Sequence, residues 1–114
     1  MTYDKDKIIQ NEQVPKQVEG MLEQVVTDDE GTGSRAAIDG FSIAGKTGTA
    51  QVVSESGSYS QDSNNISFIG YLPNTNSNIV CFVGVTDVPG DRQTTLPFKD
   101  IMSFAINHYR ITAL

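Results

Sequence analysis

The stretch Ala44-Gly45-Lys46-Thr47-Gly48-Thr49-Ala50-Gln51 is the most informative part of this sequence of 114 residues. It lies within residues 41–53, which we predict to form a β-strand. Two glycines, Gly45 and Gly48, lie inside that strand, where glycine is unfavourable unless a backbone or a ligand approaches closely. Two such glycines on either side of Lys46 therefore indicate a strand with a functional role.

Upstream of this strand the sequence predicts one helix. Apolar residues recur there at steps of three, four and one, which places them on one face of a helix. They are Val14, Val18, Met21, Leu22, Val25 and Val26. Pro15 suits the first helical turn, where its missing N–H costs nothing, and the helix is expected to end near Thr27. Residues 1–13 are polar and are expected to form a loosely held lead-in, with a short strand at residues 7–10.

Downstream, two further strands are predicted. A serine-rich loop over residues 54–64 is followed by a second strand at 65–73, a tight polar turn at 74–78 and a third strand at 79–88. The third strand is apolar on both faces, which is typical of a central strand covered on both sides. The short turn favours antiparallel pairing of these two strands, and Pro89-Gly90-Asp91 is expected to end the third.

A last helix is predicted to begin near Thr95 and Pro97. Its apolar residues also recur at helical spacing. They are Phe98, Ile101, Met102, Ala105, Ile106 and Tyr109. The predicted fold class is α+β, in the order helix, three-stranded antiparallel sheet and C-terminal helix, and the length suits one small domain.

Composition narrows the classes of function. The net charge of −6 argues against nucleic acid or an anionic membrane surface as a partner, because both reward concentrated positive charge. The longest apolar run, at residues 79–85, is far shorter than the roughly 20 residues of a membrane-spanning helix. Cys81 is the only cysteine and alternates with aliphatic residues, so we interpret it as a small core residue. His108 has no ligand partners at metal-binding spacing, and no metal site is predicted.

The whole succession resembles the transpeptidase domain of penicillin-binding proteins, most closely the class B enzymes of cell division and elongation. The resemblance covers about residues 14–111 and implies the C-terminal part of the penicillin-binding and serine β-lactamase-like fold. Besides Lys46-Thr47-Gly48, the helix end Leu22-Glu23-Gln24-Val25-Val26, the strand at residues 79–89 and three further segments carry it. The three further segments are Gly31-Thr32-Gly33, Ser67-Phe68-Ile69-Gly70-Tyr71-Leu72-Pro73 and Pro97-Phe98-Lys99-Asp100-Ile101.

The resemblance also implies roles for four residues. Lys46 would supply positive charge to the proton network of the active site and favour the anionic end of the substrate. The hydroxyls of Thr47 and Thr49 would bind the terminal carboxylate of a D-Ala-D-Ala stem peptide, which can pair with the strand. The backbone N–H of Thr49 would be one donor of the oxyanion hole. Gly48, having no side chain, would let the substrate approach.

The nucleophile of this family is absent from the sequence. The family carries Ser-x-x-Lys, Ser-x-Asn and Lys-Thr-Gly in that chain order, but no serine here has a lysine three positions later. Ser63-Asn64-Asn65 matches the second motif, but it follows Lys46 and is interpreted as a chance match in a loop. We therefore expect residues 14–114 to be the C-terminal subregion of a transpeptidase domain that is inactive alone, since no acyl-enzyme can form.

Three interpretations of function stay open. The chain is part of a D,D-transpeptidase that cross-links peptidoglycan and is a β-lactam target, part of a penicillin-sensing receptor domain of the same fold, or a non-catalytic peptide-binding module. No cofactor is implied. The parent protein would act at the outer face of the bacterial cytoplasmic membrane, with its anchor outside this chain. The N-terminal half of the transpeptidase domain, which is missing here, would be a partner of these residues. We hypothesise that the isolated chain self-associates and so covers the surface that this half would otherwise cover.

Overall fold

The computed structural model describes residues 2–28, 31, 33–89 and 93–114, with the side chains of residues 59–62 outside the description. Its elements are α1 (Gln13–Thr27), a 3-10 turn (Ser34–Ala36), β1 (Ala44–Val53), β2 (Tyr59–Tyr71), β3 (Val80–Pro89) and α2 (Thr95–Tyr109). The strands form one antiparallel sheet in the order β1-β2-β3. The predicted α+β succession of helix, three-stranded sheet and helix is confirmed. No helix among these described residues is long and apolar enough to span a membrane.

The hydrophobic core lies between one face of the sheet and α2. Phe68 of β2 and Phe98 of α2 are fully buried, and their rings meet edge to face with centroids 4.7 Å apart, a favoured geometry for aromatic pairs. The other buried members of this cluster are Val26, Ala36, Ile43, Leu72, Met102, Ile106 and Ile111. The core therefore joins the end of α1, the 3-10 turn, the sheet and α2.

Gly45 is explained by this core. A Cβ at this position would lie 2.5 Å from Cζ of Phe68 and 2.9 Å from the carbonyl oxygen of Ile69. The Phe68 ring therefore lies across the backbone of β1, where only glycine fits. The sequence analysis expected a backbone or a ligand close to this glycine. The close neighbour is the Phe68 side chain of the core, so core packing explains Gly45 without a ligand.

The hairpin between β1 and β2 is longer than the sequence predicted. The loop shrinks to residues 54–58 and β2 begins at Tyr59, so the serine-rich loop over 54–64 is wrong. The hydroxyls of the loop serines hydrogen-bond one another, and the N–H of Ser54 donates to the carbonyl of Ser58 at 2.7 Å. Ser63 consequently lies on a strand, opposite Pro89, rather than in a loop.

The third strand is not the central, doubly covered strand that its composition predicted. Among the described residues β3 is the edge of the sheet, paired only with β2. Cys81 and Val83 pack against the core, and burial raises the pKa of the Cys81 thiol, as suits a small core residue. Val80 and Phe82 on the opposite face are 61% and 64% exposed. This apolar strand therefore has one face that the described residues leave uncovered.

The remaining differences concern element ends and apolar stripes. Val14, Val18 and Met21 of α1 are exposed, as are Ile101 and Tyr109 of α2, so each predicted stripe is buried along only part of its length. β1 begins at Ala44 rather than at residue 41, and residues 2–11 form neither helix nor strand, so the strand at 7–10 is wrong. Residues 90 and 91 of the predicted strand break lie outside the described residues.

A hydrogen bond ties α1 to β2. The Tyr71 hydroxyl donates to Oε2 of Glu19 at 3.0 Å. Burial of the phenol, followed by its bond to the Glu19 carboxylate, raises the pKa of Tyr71 to about 12. The protonated phenol is therefore the form that the fold favours.

Replacing Gly45 by alanine tests the packing at β1. Gly45→Ala forces a methyl group into the space of the Phe68 ring, and it is expected to lower the free energy of unfolding by about 1–3 kcal/mol. Gly20→Ala is the matched control, because a Cβ at the exposed Gly20 meets no described residue outside the local helix backbone within 4 Å. In mid-helix it is expected to stabilise by about 1 kcal/mol. Urea unfolding of both variants measures the difference, and equal effects would contradict the packing role of Gly45.

Tyr71 gives the chain a stability that depends on pH. Its folded pKa of about 12 lies above the ordinary tyrosine pKa of 10.0, so its contribution is fully present below pH 10 and is lost as pH rises towards 12. The stability advantage of wild type over Tyr71→Phe is expected to shrink across that range. Chemical unfolding of both proteins at a series of pH values measures it. Parallel curves would show that the phenol titrates alike in both states.

Candidate active site

The strand that carries Lys46 has a free edge. One edge of β1 pairs with β2, and no other strand among the described residues pairs with the second edge. In the register Lys46 lies opposite Ile69, and Thr47 lies opposite Phe68. Because directly opposed residues of an antiparallel pair share a face, Thr47 faces the α2 side with Phe68. Lys46 faces the other side.

Lys46 is exposed on its face of the sheet. Its ammonium donates to the carbonyl oxygen of Thr47 at 2.8 Å, a bond that folds the side chain back along its own strand. No carboxylate of the described residues forms an ion pair with it. The positive charge is therefore held close to the backbone of β1 and is open to an anionic ligand.

On the α2 face, a cleft of about 350 Å³ borders β1. One wall is formed by Thr47, Gly48 and Thr49, together with the neighbouring part of β2. The facing wall comes from the 3-10 turn and the start of α2. Three of the four predicted site residues thus line one cleft, and Lys46 reaches the same edge from the opposite face.

Gly48 differs from Gly45 in what surrounds it. A Cβ at Gly48 would lie 2.7 Å from Oγ of Ser67, its partner across the hairpin, and among the described residues, its own chain neighbours apart, would meet no other atom within 4 Å. A hydroxyl can rotate away more easily than a packed ring, so the constraint at Gly48 is weaker. Because Gly48 has no side chain, a ligand in the cleft can approach the backbone of β1 closely at this point.

The other chemically notable residues lie away from this cleft. His108 stacks on Phe104 with ring centroids 5.5 Å apart and contacts Tyr109 edge to face. No group of histidine, cysteine or acidic residues among the described ranges could hold a metal ion. The side chain of Tyr59 lies outside the description.

Sequence reasoning missed three residues of the facing wall, which are Arg35, Gln93 and Thr94. They lie in the 3-10 turn and just before α2, where no periodicity marks them. Thr94 had one usable signal, since a threonine directly before a helix is a common N-cap.

Comparisons with known proteins agree with this arrangement. A family model described as the penicillin binding protein transpeptidase domain matches residues 3–103. A peptidoglycan D,D-transpeptidase FtsI homolog from Nephroselmis olivacea is 50% identical over 72 residues, which are 63% of this chain and 10% of the relative. A probable peptidoglycan D,D-transpeptidase PenA from Neisseria gonorrhoeae is 31% identical over 106 residues, 89% of this chain and 18% of the relative.

Solved structures show the same likeness. Penicillin-binding protein 3 from Mycobacterium tuberculosis, complexed with ampicillin, matches 89% of this chain with a TM-score of 0.77 and 28% identity. The match covers 25% of that protein. The transpeptidase domain of Burkholderia pseudomallei penicillin-binding protein 3 matches 85% of this chain with a TM-score of 0.72 and 27% identity, over 30% of its own length. The chain thus spans well under two thirds of each of these four proteins.

Proposed function

The chain belongs to the penicillin-binding protein transpeptidase domain family, and we propose that it supplies one wall of the active site of a serine D,D-transpeptidase. Such an enzyme cross-links peptidoglycan stem peptides and is acylated by β-lactams. The observation that carries the proposal is the Lys46-Thr47-Gly48 sequence at the edge of β1 that no other described strand occupies, beside a cleft that Thr47 and Thr49 of the same strand line. The parent protein would work at the outer face of the bacterial cytoplasmic membrane.

The free edge gives each site residue a role. A stem peptide ending in D-Ala-D-Ala can pair with β1 as an added strand, since no second strand among the described residues occupies that edge. A peptide in that position passes between Lys46 on one face and the threonine hydroxyls on the other. We assign charge stabilisation to Lys46, carboxylate binding to Thr47 and Thr49, close approach to Gly48, and an oxyanion-hole donor to the Thr49 N–H.

The nucleophile must come from elsewhere in the protein. The 114 residues contain no Ser-x-x-Lys sequence, and an acyl-enzyme needs a serine with a base beside it. We therefore propose that residues 14–114 form the C-terminal subregion of the domain, that 1–13 lead into it, and that the serine and its lysine lie outside this sequence. The chain matches only 25% of the mycobacterial relative that was solved with ampicillin, which supports a nucleophile outside this sequence.

Labelling with a fluorescent penicillin tests this assignment. The isolated 114 residues are expected to form no covalent adduct. When they replace the matched quarter of the mycobacterial penicillin-binding protein 3, the chimera is expected to be labelled. Lys46→Ala in the chimera should slow labelling by about 100-fold or more, because it removes a fixed charge from the site. Lys99→Ala, which removes an exposed charge on α2, is the matched control and should leave the rate unchanged.

Several outcomes would contradict the proposal. A stable adduct on the isolated chain would place a nucleophile within it. Equal rates for the Lys46 and Lys99 variants would remove the site role of Lys46, and so would a folded chimera that is never labelled. A cross-linking assay on the chimera with peptide donor and acceptor separates a transpeptidase from a penicillin sensor, since a sensor is acylated without forming the product.

We also propose that the isolated chain self-associates through the outer face of its sheet, defined as Ile69, Val80 and Phe82. These side chains are 46%, 61% and 64% exposed, and they lie on the face opposite the core. The accessible surface of the chain is 8504 Å², against about 6,100 Å² for a compact monomer of its mass. Apolar surface of this kind favours association.

Sedimentation at increasing concentration measures this self-association. The wild-type chain is expected to shift towards a dimer, and Phe82→Ser is expected to shift it back towards the monomer. Phe104→Ser is the matched control, because Phe104 is 68% exposed on α2, away from the sheet. A monomer at all concentrations, or an equal effect of both variants, would rule out the outer face as the contact.

A further inference from the structure

The wall of the cleft that faces β1 has no role in the function proposed above. It is built from the 3-10 turn and from the residues that lead into α2, and its polar members are Ser34, Arg35, Gln93, Thr94 and Thr95. No acidic residue belongs to the lining of the cleft in the described part of the chain. A concave surface that offers a cation and several hydrogen-bond donors without a carboxylate favours an anionic ligand.

Arg35 supplies the charge of this wall. Its Nη1 donates to Oε1 of Gln93 at 3.1 Å, a bond that joins the 3-10 turn to the residues before α2 within this wall. A guanidinium has five N–H donors, and no carboxylate among the described residues pairs with this one. The remaining donors are therefore available to a ligand with oxygen acceptors.

Thr94 adds a buried polar group. It is only 4% exposed and lines the cleft, yet its hydroxyl makes no capping bond to α2, although it occupies the N-cap position. Buried hydroxyls are normally hydrogen-bonded, and no fully enclosed side-chain oxygen of the described residues lacks a partner. The Thr94 hydroxyl therefore keeps its access to the cleft, where a ligand can bond to it.

The end of α2 completes the set of donors. The first turn of this 15-residue helix contains no acidic side chain. Among the described residues, the N–H groups of Thr95 and Leu96 have no backbone acceptor, and Pro97 has no N–H to offer. Free N–H groups and the helix dipole both favour an anion at such an end.

We propose that Arg35, Thr94 and the first turn of α2 form an oxyanion-binding site on the wall that faces β1. Its ligand is a group with two or three charged oxygens, either a carboxylate of a peptide or a free phosphate. A planar carboxylate or a phosphate oxygen pair matches the fork of the guanidinium, while the helix end and the Thr94 hydroxyl bind from the second side. The site works through groups of the 3-10 turn and α2, so it does not require Lys46 or an acylated serine.

Proton–nitrogen correlation spectra of the chain, recorded during titration with sodium phosphate, test the site. Saturable shifts are expected at the amides of Thr95 and Leu96 and at the Arg35 side chain. Sodium chloride at matched ionic strength should not produce them. Arg35→Gln is expected to weaken phosphate binding by about tenfold or more, because charge-assisted bonds are lost. Thr94→Val, which keeps the shape and removes the hydroxyl, should weaken binding less.

Lys99→Gln is the matched control for charge, since it removes a cation from the same helix outside the cleft, and it should bind phosphate as wild type does. A short peptide ending in D-alanine, used as the free acid and as the amide, identifies the source of the oxyanion. Binding of the acid alone assigns the site to peptide carboxylates, and binding of phosphate alone assigns it to free phosphate. Identical shifts in chloride, or unchanged affinity in Arg35→Gln, would overturn the proposal. Neither result bears on penicillin labelling, which reports the proposed function separately.

Discussion

The ring of Phe68, packed across the backbone of β1 at Gly45, is the contact on which the rest of the structure depends. Two more glycines adjoin the same ring, since a Cβ at Gly70 would lie 3.0 Å from Cε1 and a Cβ at Gly33 would lie 3.2 Å from Cε2. Phe98 of α2 meets the ring edge to face. Because interiors are close-packed, one side chain sets the separation of the turn after α1, two strands and the last helix.

The candidate site follows from this packing. Thr47 lies directly opposite Phe68 in the register, so the strand that carries the threonines cannot rotate or slip without moving the ring. The facing wall belongs to α2, which Phe98 holds against the sheet. Both walls of the cleft are therefore positioned by the same aromatic pair, and the shape of the cleft is set by the core rather than by loop conformation.

Hydrophobic periodicity and the Lys46-Thr47-Gly48 motif were enough to predict the order of the elements, the position of α2 and the strand around Lys46. It failed where burial depends on a partner. Val80 and Phe82 make the sequence of β3 resemble that of a central strand. A pattern of apolar residues does not show, however, whether the surrounding structure covers both faces of the strand. The first residues of the Tyr59–Tyr71 strand are polar, and their strand structure was therefore not predicted. They pair along the hairpin through backbone hydrogen bonds, which side-chain composition does not reveal. Arg35 and Thr94 were missed because a contact between a turn and the end of a helix produces no periodic pattern in the sequence.

The two halves of the site differ in how firmly they are held. Thr47 and Gly48 lie on a wall fixed by the core, so their positions are set before any ligand arrives, which lowers the cost of binding. Lys46 projects from the opposite face, where Ile69 beside it is exposed and where, among the described residues, the lysine ammonium bonds only to the backbone of its own strand. An exposed ammonium on a flexible stem keeps its rotamer freedom, and ordering it costs about 2 kcal/mol. The full strength of this site must therefore depend on a surface that packs against the Lys46 face of the sheet and fixes that side chain.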